Sequence, residues 1–252
     1  MFRSLYSYFT DAVSLTKTHY WSLLPFALLT YFLPATALSI LESLPSFFAF
    51  TVYLVIFLLG IFPAFQIGYL RLTLSVVRKQ PMTLLKALSF GFGRKIWLRM
   101  ALFYILCIAI FLFGPLFMFA PLLLFDTASP SVQLIAGVLY VFSLFWTLFV
   151  FLYLAPRLIF TSLHLIDSDQ SPLKSAFQSM RTIRQLGYWK IVFLLLLSMI
   201  FYVPVLIIPS TWGSVLMFLI VCPFFNMPIA VAYVHATTPT SRAFLSSLSA
   251  CR

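Results

Sequence analysis

The sequence predicts an all-α integral membrane protein: six transmembrane helices in three tandem units, each joining a cytoplasmic amphipathic helix to a helical hairpin. Three observations carry that prediction. Of 252 residues, 63% are hydrophobic and only 8% are charged. Soluble domains keep roughly a quarter of their residues charged, so an aqueous fold could not cover this much apolar surface. Apolar stretches fall at about 19–41, 48–71, 97–125, 131–155, 188–209 and 213–235, each near or above the roughly 20 residues that cross a bilayer. All 16 Lys and Arg lie in the odd-numbered connecting segments or at the span ends adjoining them, and the even-numbered turns hold Glu42 and Asp126 with no cation. Cationic loops stay in the cytoplasm, which places both termini and both long loops there. The net charge of +11 is therefore read as topology and not as a nucleic-acid surface.

The first unit covers about residues 2–71. Phe2, Leu5, Tyr6, Phe9, Ala12 and Val13 recur at helical spacing, with Arg3, Ser7, Thr10 and Asp11 between them. Trp21 marks the entry into lipid, as interfacial tryptophans do. The first span is interrupted by Pro25 and Pro34, and 44–46 form an outer turn. Ala35-Thr36-Ala37 has the look of a signal-peptidase site, but the apolar run continues to Leu41 and is too long for a signal core, so no cleavage is expected.

The second unit, about 81–157, follows the most basic part of the chain, where seven cations from Arg71 to Arg99 occur without an acid. Met82, Leu85, Leu88 and Phe92 form an apolar stripe weakened by Gly91 and Gly93, and Trp97 is the interfacial anchor. The third span is long for one straight helix, since about 30 residues reach roughly 45 Å against a hydrocarbon core of about 30 Å. Pro115 and Pro121 are expected to bend or stop it. The fourth span ends at Pro156-Arg157, and Leu158 to Ile166 continue as helix beyond the lipid.

The third unit, about 171–236, opens with Ser171-Pro172, a helix start in which serine accepts from free N–H groups and proline at the first helical position loses no bond. Leu173, Ala176, Phe177, Met180 and Ile183 form the apolar face. Lys174, Arg181 and Arg184 form the cationic one and are the lipid-headgroup candidates. Trp189 repeats the anchor. Leu5, Ser7, Phe9 and Trp21 stand in the same register as Leu173, Ser175, Phe177 and Trp189, so the repeats are parallel. Residues 1–237 make the membrane domain, and 238–252 a polar cytoplasmic tail.

The strongest intramembrane polar candidates are Gln66 and Asn226, each three residues after a proline. Pro63, Pro156, Pro223 and Pro228 are helix breaks, and an amide near a break can satisfy the carbonyl a proline leaves unpaired or bond across helices. The alternative is a polar lining where broken helices meet, as transporters use. No Asp, Glu, Lys or Arg lies mid-span, which counts against a proton or ion pump. His164 and Asp167 share a helical face with Asp169 nearby, but a third ligand of matched geometry is wanting; capping and solvation are the expected roles, and no metal site is expected. Cys107, Cys222 and Cys251 show no paired spacing. Without a nucleophile–base pair or a phosphate loop, neither enzyme activity nor a cofactor is expected.

Residues 165–233 combine an acidic turn, Ala176-Phe177 with Ser179, the pair Tyr188-Trp189, an aliphatic run and a last span ending Ala230 to Tyr233. This pattern resembles the membrane domain of bacterial glycerophosphoryl diester phosphodiesterases and related six-helix bacterial membrane proteins. In those enzymes the catalysis belongs to a separate soluble barrel, which has no counterpart here, so the resemblance implies no catalytic residue. The expected function is a non-enzymatic lipid-engaging or scaffold module in a bacterial cytoplasmic membrane, with anionic membrane lipids as partners. Homo-oligomerisation is compatible with the pattern. A transporter or permease for a small or amphipathic solute is the alternative.

Overall fold

The computed structural model describes residues 2–32, 60–80, 82–124, 130–200 and 222–238. The outer turns, the apolar stretches 33–41, 48–59, 201–209 and 213–221, the Ala35-Thr36-Ala37 motif and the tail from residue 239 lie outside them. Among the described residues all regular structure is helical. One helical run, Gln133–Ser168, is long and apolar enough to cross a bilayer, at 36 residues and a mean hydropathy of 2.3, and Tyr188–Leu197 and Met227–Thr237 are shorter apolar helices.

The chain opens with α1 (Phe2–Ala27), which His19 interrupts with φ −110° and ψ 18°. A π-helical turn, Leu28–Phe32, continues it. α2 (Phe62–Val77) starts on Pro63 and packs along α1. α3 (Leu84–Gly91) is capped by Thr83, whose Oγ1 accepts from Lys86 N. It then crosses α2 at backbone contact. A Cβ on Gly91 would stand 2.1 Å from the Ala64 carbonyl oxygen, and one on Gly68 would stand 3.0 Å from that of Ala87. Ala64 and Gly68 on α2 thus face Ala87 and Gly91 on α3, and small residues four apart let helix backbones touch. The glycine that weakens α3 as an isolated helix is what docks it.

α4 (Arg94–Leu124) and α5 (Pro130–Phe149) form a hairpin packed along its length. Here the expected stop fails: α4 runs for 31 residues through both Pro115 and Pro121. Around Pro115 the partner helix pins the backbone: Ser143 Oγ donates to the Gly114 carbonyl at 2.7 Å and Trp146 Nε1 to that of Ile110 at 3.1 Å. These bonds flank the carbonyl of residue 111, the one that Pro115 leaves without its usual donor, and tie α4 to α5 at that level. The outward face of α5, with Leu134, Val138, Phe145 and Leu148, is exposed and apolar.

Beyond α5 a π-helical turn, Val150–Leu154, leads into α6 (Ala155–Leu158), and α7 (Thr161–Ser168) follows after a turn. α8 (Pro172–Leu186) ends at Gly187, which takes φ 94°, and leads to α9 (Tyr188–Ile200). Pro223 lies in α10 (Cys222–Phe225), and the chain turns at Asn226 before α11 (Met227–Thr237). The core sits where α2, α7, α8 and α11 meet; Tyr69, Phe160, Leu165, Ile183 and Tyr233 are fully buried there. α1 packs on α2, α10 and α11, so the two ends of the chain share this core.

The surface helices are oriented in a way hydrophobic periodicity did not foretell. α8 buries Ser175, Ser179, Thr182, Ile183 and Leu186, while Leu173 and Phe177 are 64% and 57% exposed. Lys174, Arg181 and Arg184 are exposed as well. The expected division into opposite apolar and cationic faces is therefore corrected: both share the outer side, and the hydroxyl stripe faces inward. α3 likewise buries Ala87 and Gly91 and exposes Leu84, Leu85 and Phe92. α1 buries Tyr8, Ala12 and Thr16 and exposes Tyr6 and Val13. The repeat register does not extend to the faces, since Ser7 is exposed where Ser175 is buried.

Candidate functional site

The polar side chains converge at the end of the shared core. α2 places Arg78 at its C-cap, α7 presents His164 and Asp167 three residues apart on one face, α8 brings Ser179 and Thr182, and α11 supplies Tyr233. Arg78 grips Asp167 with two parallel bonds, Nη1 to Oδ1 at 2.6 Å and Nη2 to Oδ2 at 2.7 Å. This bidentate form is the strong form of the pair. Tyr233 donates its hydroxyl to Asp167 Oδ2 at 3.1 Å, and the Tyr233 hydroxyl oxygen also lies 3.3 Å from His164 Nδ1. The Thr182 hydroxyl donates to the Gln178 carbonyl at 3.0 Å, so His164 Nε2, 2.9 Å from Thr182 Oγ1, carries the proton between them. Ser179 Oγ donates to the Arg157 carbonyl at 2.7 Å and accepts from Phe160 N at 3.2 Å, bridging the turn between α6 and α7.

The electrostatics follow from this geometry. Burial pushes the Asp167 carboxyl up, but the hydrogen bonds and charge of Arg78, with Tyr233 and Arg71 behind them, outweigh it and hold the carboxyl below the usual range. The bond to Asp167 raises the Arg78 guanidinium against the opposing effect of burial. A cleft of about 510 Å³ opens over the cluster, with Gln178, Arg181 and Gln185 at its rim. The groups within the cluster are bonded to one another, so it acts as a clasp between four helices, and Arg181 adds exposed positive charge at the opening.

Asp169 has a different role from the capping and solvation expected of it. It ends α7 in a left-handed conformation, φ 48°, and pairs with Lys95 at 2.8 Å and with Arg99 through carboxylate and carbonyl. The Lys95 hydrogen bond, with the charges of Arg99 and Lys95, holds its carboxyl low. Ser171 does precede α8, but its side chain makes no capping bond. Among the described residues no group of three His, Cys, Asp or Glu could hold a metal ion.

A second cluster joins the π-helical turn and α6 to α9. Pro156 cannot donate to the Leu152 carbonyl, and the Tyr188 hydroxyl donates to that carbonyl instead. The Arg157 guanidinium lies over the Tyr153 ring at 3.5 Å and the Tyr188 ring at 4.7 Å. The carbonyl that Pro156 leaves without its usual donor is thus met by a tyrosine.

The intramembrane candidates are not brought together into one described contact. Gln66 borders a cavity of about 250 Å³ with Tyr104, Cys107, Val150 and Ile159, and its Oε1 is buried without a hydrogen-bond partner. Asn226 is buried at the head of α11 and makes no side-chain cap bond. Pro63, Pro156 and Pro228 each stand in the first turn of a helix. The Pro223 carbonyl accepts from the Tyr69 hydroxyl at 2.9 Å. Trp21 and Trp189 are 80% and 71% exposed, whereas Trp97 is half-buried and donates from Nε1 to the Gly60 carbonyl at 2.7 Å.

Arg78, Tyr233 and Thr182 were not singled out by the sequence. One signal was available for the first: two acids between the basic loop and α8, in a chain with five acids against 16 cations, have many cations to choose from. No family model, curated protein or solved structure matches the chain. The likeness to the phosphodiesterase membrane domain therefore rests on residues 165–233 alone.

Proposed function

We propose that this chain is a non-enzymatic six-span protein of a bacterial cytoplasmic membrane, of the kind residues 165–233 resemble, whose surface helices rest in the inner leaflet and engage anionic lipid. The observation that carries the reading is the outward display of large apolar side chains on α1, α3 and α8: Tyr6 and Val13 on α1, Leu84 and Leu85 on α3, and Leu173 and Phe177 on α8, whose inner side joins Ser175, Ser179 and Thr182 to Ile183 and Leu186. In water this would be unfavourable, because each large apolar side chain taken out of water contributes about 1.5–3 kcal/mol. At a membrane surface it is the orientation of an interfacial helix. On α8 the exposed Leu173 and Phe177 share the outer side with Lys174, Arg181 and Arg184, and a Lys or Arg near an anionic surface adds about 1 kcal/mol. The apolar residues set the depth, and the cations select the lipid.

Spin labels at Leu173 and Phe177 in liposomes containing phosphatidylglycerol are expected to report an apolar surrounding, and a label at Lys174 the headgroup region. Labels at Leu173 and Phe177 that relax as in water would overturn the reading. The transporter alternative draws on one observation, the unpartnered Gln66 Oε1 at an apolar cavity. A Gln66→Leu protein of normal abundance that loses a transport phenotype would favour it.

A further inference from the structure

A cavity of about 460 Å³ lies between α1, the end of α2 and the loop into α3, and shares no lining residue with the cleft over Asp167. Two backbone irregularities border it. One is His19, the residue that breaks α1. The other is Lys79, which holds φ 55°. Lys79 follows the C-cap of α2 in a paired turn, with Lys79 N bonded to the Val76 carbonyl at 3.0 Å and Gln80 N to that of Ser75 at 2.8 Å. Helices that end this way favour glycine at that position, because a Cβ is strained at positive φ. Here a lysine occupies it. Backbone strain that persists beside a cavity is a reason to ask what the side chain does.

The lining divides into two parts. Leu72, Val76 and Met82 give an apolar floor, the first two buried, and His19, Lys79 and Thr83 stand among its polar walls. Thr83 is the cap of α3, so the positive end of that helix borders the same space. No Asp or Glu lines the cavity. Asp167 and Asp169, at the other cluster, are paired with Arg78, Lys95 and Arg99. Among the described residues, neither Lys79 nor His19 has a side-chain hydrogen bond or ion pair.

We infer that this cavity binds a phosphate ester, with Lys79 as the charge that holds it and the apolar floor receiving the adjoining chain. The inference rests on the lipid-engaging reading for its setting but uses residues that α8 does not contribute. It explains the lysine. Glycine would relax the turn but would leave the cavity without its flexible cation, whereas lysine keeps the cation and retains the strain.

The test uses the full chain in detergent, with bound lipid counted by native mass spectrometry. The probes are dioleoyl phosphatidylglycerol, dioleoyl phosphatidylcholine and inorganic phosphate alone. Lys79→Gly is expected to weaken one bound phosphatidylglycerol about fivefold, the factor that corresponds to about 1 kcal/mol per cation. Its thermal midpoint should hold or rise, since glycine suits the turn. Lys79→Arg should retain the lipid. Displacement of that lipid by inorganic phosphate in the parent protein, and not in Lys79→Gly, would show a phosphate site open to either source; displacement by neither would fix the lipid headgroup as the ligand. Unchanged phosphatidylglycerol binding in Lys79→Gly would overturn the inference, and so would a lowered midpoint in Lys79→Gly, which would make the lysine structural. Charge reversal of Lys174, Arg181 and Arg184 leaves this cavity intact. Loss of leaflet binding in that variant alone, with Lys79→Gly unaffected, refutes the cavity and spares the proposed function, and the reverse result does the opposite.

Discussion

Replacing Asp167 with asparagine removes the charge at the centre of the clasp while keeping the shape of the side chain. The pair with Arg78 has two short bonds, and the two side chains are 22% and 26% exposed. An exposed ion pair is worth about 0–1 kcal/mol, and breaking a fully buried one costs about 3–5 kcal/mol. A pair three-quarters covered lies between these limits, so Asp167→Asn should cost about 2 kcal/mol. The asparagine oxygen can still accept from Tyr233, which limits the loss to the Arg78 side. Thermal unfolding in a fixed detergent, followed by tryptophan fluorescence at constant ionic strength, measures the change. A cycle with Arg78→Met and the double variant isolates the coupling. A coupling below about 0.5 kcal/mol would place the pair with ordinary surface ion pairs and refute the view that it holds α2, α7 and α11 together.

Acid should act on the same group. A carboxyl depressed in the folded state contributes stability that is fully present above its unfolded pKa of about 3.9 and is lost as pH falls through the lower folded value. The midpoint difference between the parent and Asp167→Asn should therefore be constant near neutrality and shrink below about pH 4; a difference that persists at lower pH would contradict it. Gly91→Ala should destabilise by about 1–3 kcal/mol through overpacking, since its methyl would meet the Ala64 carbonyl. Gly137→Ala, with open space around it, should gain about 0.5–1 kcal/mol, and equal effects at the two sites would contradict the α2–α3 contact. Tyr188→Phe should cost about 1 kcal/mol by withdrawing the donor from the Leu152 carbonyl, read as a lower midpoint with α9 still helical.

Much of the helical plan was legible because it follows from local chemistry. Ser171-Pro172 starts α8, the periodic run from Phe2 is helical, and helix continues beyond Arg157 as far as Ser168. What the sequence could not settle was direction. Periodicity groups Leu173 with Phe177, but whether that stripe meets protein or its surroundings depends on the neighbours, and here the inward side is fixed by Ser179, which bonds the Arg157 carbonyl and Phe160 N in a way leucine could not. Pro115 did not stop α4, and the bonds that tie that stretch to α5 come from Ser143 and Trp146, about 30 residues away and invisible to local pattern. The acids were visible and their partners were not. Choosing Arg78 for Asp167 among 16 cations requires knowing where α2 ends.

Asp167 and Asp169 sit two residues apart, yet they hold opposite ends of the basic loop, Arg78 at its start and Lys95 with Arg99 at its finish. A stretch of about 20 residues, closed on itself by charge, is thus fastened at a single point at the foot of α7. Loss of that one short turn would release both ends together, which makes three residues the hinge pin between α2 and α4.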